Sequence, residues 1–98
     1  MTVYGTPVDA FRGARLPSRQ KKPRTREDWE RVVIAVIKAS REDADLSRQE
    51  LAARLKLTYS QIVNIENGRR EVGLVDFLML ANAIDVDPVE LFQRVARW

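Results

Sequence analysis

Two helix-start signals stand eleven residues apart in the middle of this chain, and they constrain its fold more than any other feature. Ser47 is followed three residues on by Glu50, and Thr58 by Gln61. In each pair the hydroxyl meets an orphan N–H of the first helical turn while the longer side chain reaches back to the cap residue's own N–H. Leu51, Ala52 and Leu55 then fall on one face of a short helix, about Arg48 to Leu55. Ile62 and Ile65 fall on one face of a second helix that begins after Thr58 and stops at Gly68. The pattern predicts two short helices flanking a turn at Lys56 to Thr58.

The flanking segments extend the same grammar. Thr25 is the candidate N-cap of a longer helix from about Glu27 to near Glu42, with Glu27, Asp28 and Glu30 at the positive end of its dipole and an apolar stretch from Trp29 to Ala39. A fourth helix is predicted from about Leu74 to Ile84, with Leu74, Phe77, Leu78, Ala81 and Ile84 at helical spacing, Asp76 near its start and Gly73 as its cap. The fifth starts at Asp87, with Pro88 in the first helical position and Glu90 three residues after the cap, followed by Leu91, Phe92 and Val95. No segment reads as a strand. The expected architecture is all-α, a compact five-helix domain over residues 26–98, preceded by an arm at residues 1–25. Residues 1 to 24 carry no periodicity, contain Gly5, Pro7, Gly13, Pro17 and Pro23, and are expected to be disordered in isolation. Docking of Val3, Tyr4, Val8, Phe11 and Leu16 on the body or on a partner is the alternative.

Composition removes most enzyme chemistry. The 98 residues include no Cys and no His, so there is no disulfide framework, no thiolate nucleophile and no imidazole base. Asp85, Asp87 and Glu90 fall at a helix start, where capping accounts for them, and the phosphate-loop pattern GxxxxGK[ST] does not occur. No enzymatic activity, cofactor or metal is expected. The longest apolar run, Val32 to Ile37, is six residues where a spanning helix needs roughly 20. With no signal-peptide core either, the expectation is a soluble cytoplasmic protein, found on the nucleoid when bound to DNA. Charge points to the partner. Residues 1 to 26 hold Arg12, Arg15, Arg19, Lys21, Lys22, Arg24 and Arg26 against Asp9 alone, net +6, and the remainder is net −3. A basic arm beside a slightly acidic body suits a polyanion, nucleic acid before an acidic membrane surface.

At 100° per residue, the third predicted helix places Tyr59, Ser60, Val63, Asn64 and Asn67 within about 140° of arc, opposite Ile62 and Ile65. A short helix, a tight turn and a second helix with such a hydrogen-bonding face form a helix-turn-helix, whose second helix enters the DNA major groove. Amide side chains suit adenine, and Val63 suits a thymine methyl.

Residues 41 to 91, with LSRQELAARL, IVNIENGRRE and LMLANAIDVDPVELF as the specific parts, resemble the phage-repressor and Cro-like (XRE-type) helix-turn-helix family. The resemblance extends back to about Val33, covers roughly two thirds of the chain and implies a lambda-repressor-like fold. It further implies that Ala52 is the small residue where the two motif helices cross, with Leu51, Leu55, Leu57, Ile62 and Ile65 as the motif's core. Arg41 and Glu66 occupy positions that pair in the family. Arg48 stands where relatives usually carry a phosphate-binding glutamine. Asn67, Arg69 and Arg70 match positions that contact phosphates, Tyr59, Ser60, Val63 and Asn64 match base-reading positions, and Thr58 is a candidate to reach a phosphate as well as cap its helix. Capping and plain solvation remain open for these residues, and packing or a partner interface for Tyr59. Lys56 and Asp85 depart from the family's usual glycines, and Val72-Gly73 from its frequent Pro-Ser. Lys in a left-handed turn costs about 1 kcal/mol unless the turn opens. Lys21, Lys22, Arg24 and Arg26 precede the first helix and are candidates for the adjacent minor groove or the phosphates.

The expected function is a sequence-specific DNA-binding transcriptional regulator, a small prokaryotic or phage repressor or activator acting on double-stranded DNA. A homodimer is expected, with Leu91, Phe92, Val95 and Trp98 as candidate interface. The alternative is that Leu91, Phe92 and Val95 complete the monomer core and Trp98 is an exposed end. A second functional reading is an antitoxin that autoregulates its operon and meets a protein partner through its arm.

Overall fold

Thr25, Ser47 and Thr58 each open a helix by the same reciprocal exchange. In the structure, a computed structural model describing residues 22–98, the Ser47 hydroxyl accepts from the Glu50 N–H (3.0 Å) and the Glu50 carboxylate accepts from the Ser47 N–H (2.8 Å). Thr58 and Gln61 repeat it at 3.1 and 2.8 Å. At Thr25 the reciprocal partner is Asp28, at 3.0 and 3.2 Å. The helices that follow are α1 (Arg26–Asp43), α2 (Arg48–Leu55), α3 (Tyr59–Glu66), α4 (Leu74–Ile84) and α5 (Pro88–Ala96), and the regular structure of the described residues is entirely helical. At α5 the Asp87 carboxylate accepts from the Val89 N–H (2.9 Å), whereas Glu90 turns along the helix to Arg94 (2.7 Å). The expectations placed on residues 1–21, including Lys21, lie outside the described residues.

The helix ends are as regular as the starts. Asp45, Lys56, Gly68 and Asp85 adopt the left-handed conformation, with φ of 63°, 58°, 76° and 70°. In each case the next residue's N–H returns five residues to a carbonyl of the helix just ended: Leu46 to Arg41, Leu57 to Ala52, Arg69 to Asn64 and Val86 to Ala81, at 2.9 to 3.1 Å. This closes the orphan carbonyls in Schellman turns. Lys56 therefore takes the strained conformation fully and the motif's turn keeps its tight form.

α1 is the hub, packing on α3, α4 and α5, while α2 packs on α3 and α4, and α4 on α5. Val36 and Ile37 of α1, Leu51 of α2, Ile62 of α3, Leu80 and Ile84 of α4 and Leu91 of α5 meet in a core sealed from solvent. Ala52 and Ile65 are buried with them, and Leu55 and Leu57 pack against the core from its edge.

Two expectations are corrected. Leu91 and Val95 belong to the monomer core, and Trp98 packs against it, so of the candidate C-terminal interface only Phe92 faces outward. Leu74 and Leu78, expected inside, are exposed, and Phe77, Leu80, Ala81, Ala83 and Ile84 form the buried face of α4. The cause is that α4 is apolar nearly all round, so periodicity alone does not choose its inner face. Leu74, Val75, Leu78 and Met79 are left as a solvent-facing apolar stripe, with Val75 70% exposed.

The turn geometry sets a paired outcome. Lys56→Gly raises stability by about 1 kcal/mol by relieving the left-handed side chain. Gly68→Ala lowers it by about 1 to 2 kcal/mol, since its φ is positive and the new methyl meets Ile34 Cδ1 at 3.2 Å. Urea unfolding midpoints of the two variants, moving in opposite directions from the parent, check both.

Candidate nucleic-acid interface

The two capping boxes place α2 and α3 so that α3 turns one side inward and presents the other. Ile62, Ile65 and Glu66 point in, whereas Tyr59, Ser60 and Asn67 are exposed and Val63 and Asn64 are partly exposed. The four residues matched to base-reading positions thus lie together on the outer side of one helix. Thr58 uses its oxygen to accept from Gln61, which leaves its O–H proton available to a phosphate.

The cations lie around this face. Arg69 is exposed and Arg70 partly exposed in the loop after α3, with Arg70 Nη2 4.0 Å from Asp76. Arg69 occupies the place taken in the other three Schellman turns by Leu46, Leu57 and Val86, side chains that tuck toward the core. A charge at that place is directed to solvent. Lys22 and Arg24 are exposed ahead of α1. Arg26 differs from its assignment to the arm. It is the first residue of α1, and its guanidinium donates to Glu30 (3.2 Å) and to Glu71, bracing the helix start against the loop that carries Arg69 and Arg70. Glu71 first, then Glu30, hold its pKa above the usual arginine value.

Behind the face sits a buried ion cluster. Arg41 Nε donates to Glu66 Oε2 at 2.7 Å and Arg41 Nη2 to Oε1 at 3.2 Å, while Nη1 donates to the Leu46 carbonyl at 2.7 Å. Arg48, placed among the phosphate contacts from the sequence, has a further partner there: its Nε donates to Glu66 Oε1 at 2.9 Å. Its pKa is raised by Glu66 first and then by the Tyr59 hydroxyl. Nothing in the local sequence pairs residues 48 and 66, because their meeting depends on the angle between α2 and α3. Arg54 was also unassigned; its Nη1 donates to the Ala83 carbonyl at 2.8 Å and so joins the end of α2 to the end of α4. Among the described residues no group of His, Cys, Asp or Glu is arranged to hold a metal ion, and no helix is long and apolar enough to cross a membrane.

Fold and face together define a helix-turn-helix DNA-binding domain. Residues 37–91 match the helix-turn-helix family model. Over 53 residues the chain is 42% identical to an uncharacterised HTH-type transcriptional regulator, y4dL, of Sinorhizobium fredii, covering 54% of this chain and 27% of that protein. It therefore spans about a quarter of that relative's length. It is 32% identical over 60 residues to the control protein C.MunI of a Mycoplasma species, covering 61% of this chain and 81% of that one. Among solved structures it resembles the restriction-modification controller protein C.AhdI from Aeromonas hydrophila, with a TM-score of 0.58 and 35% identity over 67% of this chain and 98% of that chain. The chain belongs to the XRE-type helix-turn-helix family. None of these relatives is named as an antitoxin, and that reading has no support here.

The start of α2 has a pH signature. The Ser47 N–H, then its hydroxyl, hold the Glu50 carboxyl below its ordinary value of 4.5. Between the lowered folded value and 4.5 the unfolded chain binds the extra proton, so stability rises with pH and this contribution is complete above 4.5. It is lost as pH falls through the folded value. Glu50→Gln keeps an acceptor for the Ser47 N–H, and its urea midpoint is expected to vary less with pH than the parent's below 4.5.

Proposed function

We propose that this chain is a sequence-specific transcriptional regulator that reads an operator in double-stranded DNA with α3 in the major groove. The observation that carries this is the outer side of α3, where Tyr59, Ser60, Val63 and Asn64 stand together opposite the buried Ile62, Ile65 and Glu66. Amide and hydroxyl groups there match the hydrogen-bonding edges of bases, and Val63 supplies an apolar contact for a thymine methyl. Phosphate contacts fall to Arg48, Thr58, Asn67, Arg69 and Arg70, which flank α3 at both ends. Lys22 and Arg24, with Lys21 in the preceding segment, add charge beside the same domain and contribute affinity and salt dependence in place of base selection. Arg26, in the first turn of α1 with 77% of its side chain exposed, adds to the same set. A DNA-binding regulator of this kind acts in the cytoplasm.

One helix-turn-helix unit contacts too little DNA for high selectivity, and a homodimer on a palindrome, with half-sites about 34 Å apart, supplies the remainder. Support for self-association comes from α4, whose Leu74, Val75, Leu78 and Met79 form an exposed apolar stripe with no charged side chain among them. In a water-soluble domain such a stripe marks a contact surface. Two relatives named as controller proteins favour a narrower reading, in which the chain sets expression of a neighbouring gene system.

Fluorescence-anisotropy titrations on a promoter duplex and on a randomised pool test the base-reading role. Asn64→Ala should lose selectivity with little change on random DNA, and Arg69→Ala should weaken binding on every sequence while lowering the salt slope by about one unit. Equal losses on all sequences for Asn64→Ala would remove it from the reading set. For the dimer, sedimentation equilibrium should give a two-chain species for the parent and a folded monomer for Val75→Glu/Leu78→Glu. A parent that stays monomeric at every concentration sinks the self-association.

A further inference from the structure

Glu66 is the most enclosed ionised group at the interface, with 1% of its side chain exposed, and it holds two arginines where one would neutralise it. Arg41 meets that need alone. It spans both carboxylate oxygens, its third nitrogen is taken by the Leu46 carbonyl, and its side chain is 8% exposed, so it has little left to offer a ligand. Arg48 is held differently. It approaches Glu66 through Nε alone, a third of its side chain remains in solvent, and it is the first residue of α2. Nε is the inner nitrogen of the guanidinium fork, and engaging it fixes the plane and direction of the Nη pair without using that pair.

We propose that Glu66 is a positioning residue for DNA binding, gripping Arg48 from inside so that its outer edge meets a backbone phosphate at the start of α2. This rests on the DNA-binding reading above. A free arginine must lose several rotamers to clamp a phosphate; one already held by a buried carboxylate has lost them on folding, so less of the contact is spent on ordering. Glu66 touches no DNA in this scheme. Its effect passes through Arg48.

A double-mutant cycle separates this role from a merely structural one. The parent, Glu66→Gln, Arg48→Ala and the double variant are titrated by anisotropy on one promoter duplex and on a randomised duplex pool, across a range of salt, with urea unfolding to fix the folded fraction. Arg48→Ala is expected to reduce the salt slope by about one unit on both DNAs. Glu66→Gln should weaken binding on both DNAs while keeping the salt slope, since the Arg48 charge remains, and in the Arg48→Ala background it should change DNA binding no further. Equal fold-losses from Glu66→Gln in both backgrounds would overturn the proposal, since the effect would then run through Arg41 and the fold. Arg48→Lys guards against loss of folding in the Glu66 variants. It keeps the charge but has no inner nitrogen, and is expected to keep the salt slope while binding on the order of tenfold more weakly on every sequence. Binding equal to the parent's by Arg48→Lys would also overturn it. A parent that binds neither duplex defeats the DNA reading together with this inference, whereas parental binding with an additive cycle defeats this inference alone.

Discussion

A single buried carboxylate fixes the relation between the three helices on which the interface depends. Glu66 at the end of α3 is bound by Arg41 from α1 and by Arg48 from α2, with distances of 2.7 to 3.2 Å. Removing one partner of a buried pair typically costs about 3 to 5 kcal/mol, because the remaining charge stays desolvated, although apolar substitutes for the whole pair are often as stable. The cluster's value therefore lies in geometry as much as in stability. Hydrophobic contacts from Leu51 and Ile62 hold α2 against α3, but they tolerate small rotations that a multiply bonded carboxylate resists.

Local signals carried most of the fold into the sequence. The starts of α2 and α3 were legible because a capping box spans only four residues and needs no tertiary contact to be recognised. The turn at Lys56 was legible as a site of strain, and its φ of 58° means that the surrounding packing supplies what glycine would have given free. Phase was harder. Leu91 and Phe92 are neighbours, yet one is sealed in the core and the other is 57% exposed, and only the packing of α5 against α1 and α4 decides between them. On α4 the absence of a polar side left two candidate inner faces, and the structure chose the one centred on Phe77, Leu80 and Ile84.

The candidate site divides in the same way. The outward set on α3 follows from helical period and from Ile62 and Ile65 marking the opposite side. Arg41 and Glu66 were matched through the family resemblance, since 25 residues separate them and no local rule joins them. Arg48 was assigned to phosphate without its inward bond, and Arg26 was placed in the arm although it anchors the first turn of α1 and reaches Glu71. Each of these arginine contacts crosses between helices or loops, so their partners are settled by three-dimensional packing.

The apolar stripe on α4 bears on how such a regulator responds to its own abundance. In the proposed dimer, burial of the exposed Leu74, Val75, Leu78 and Met79 against a second copy would divide the chain into two populations, with mass action setting their ratio. At low copy number the concentration of pairs grows with the square of chain concentration, so two-site occupancy lags behind synthesis and then climbs steeply. In the dimer proposed above, the greasy side of one eleven-residue helix would act as a clock, timing the interval between the first molecules made and the first operator filled.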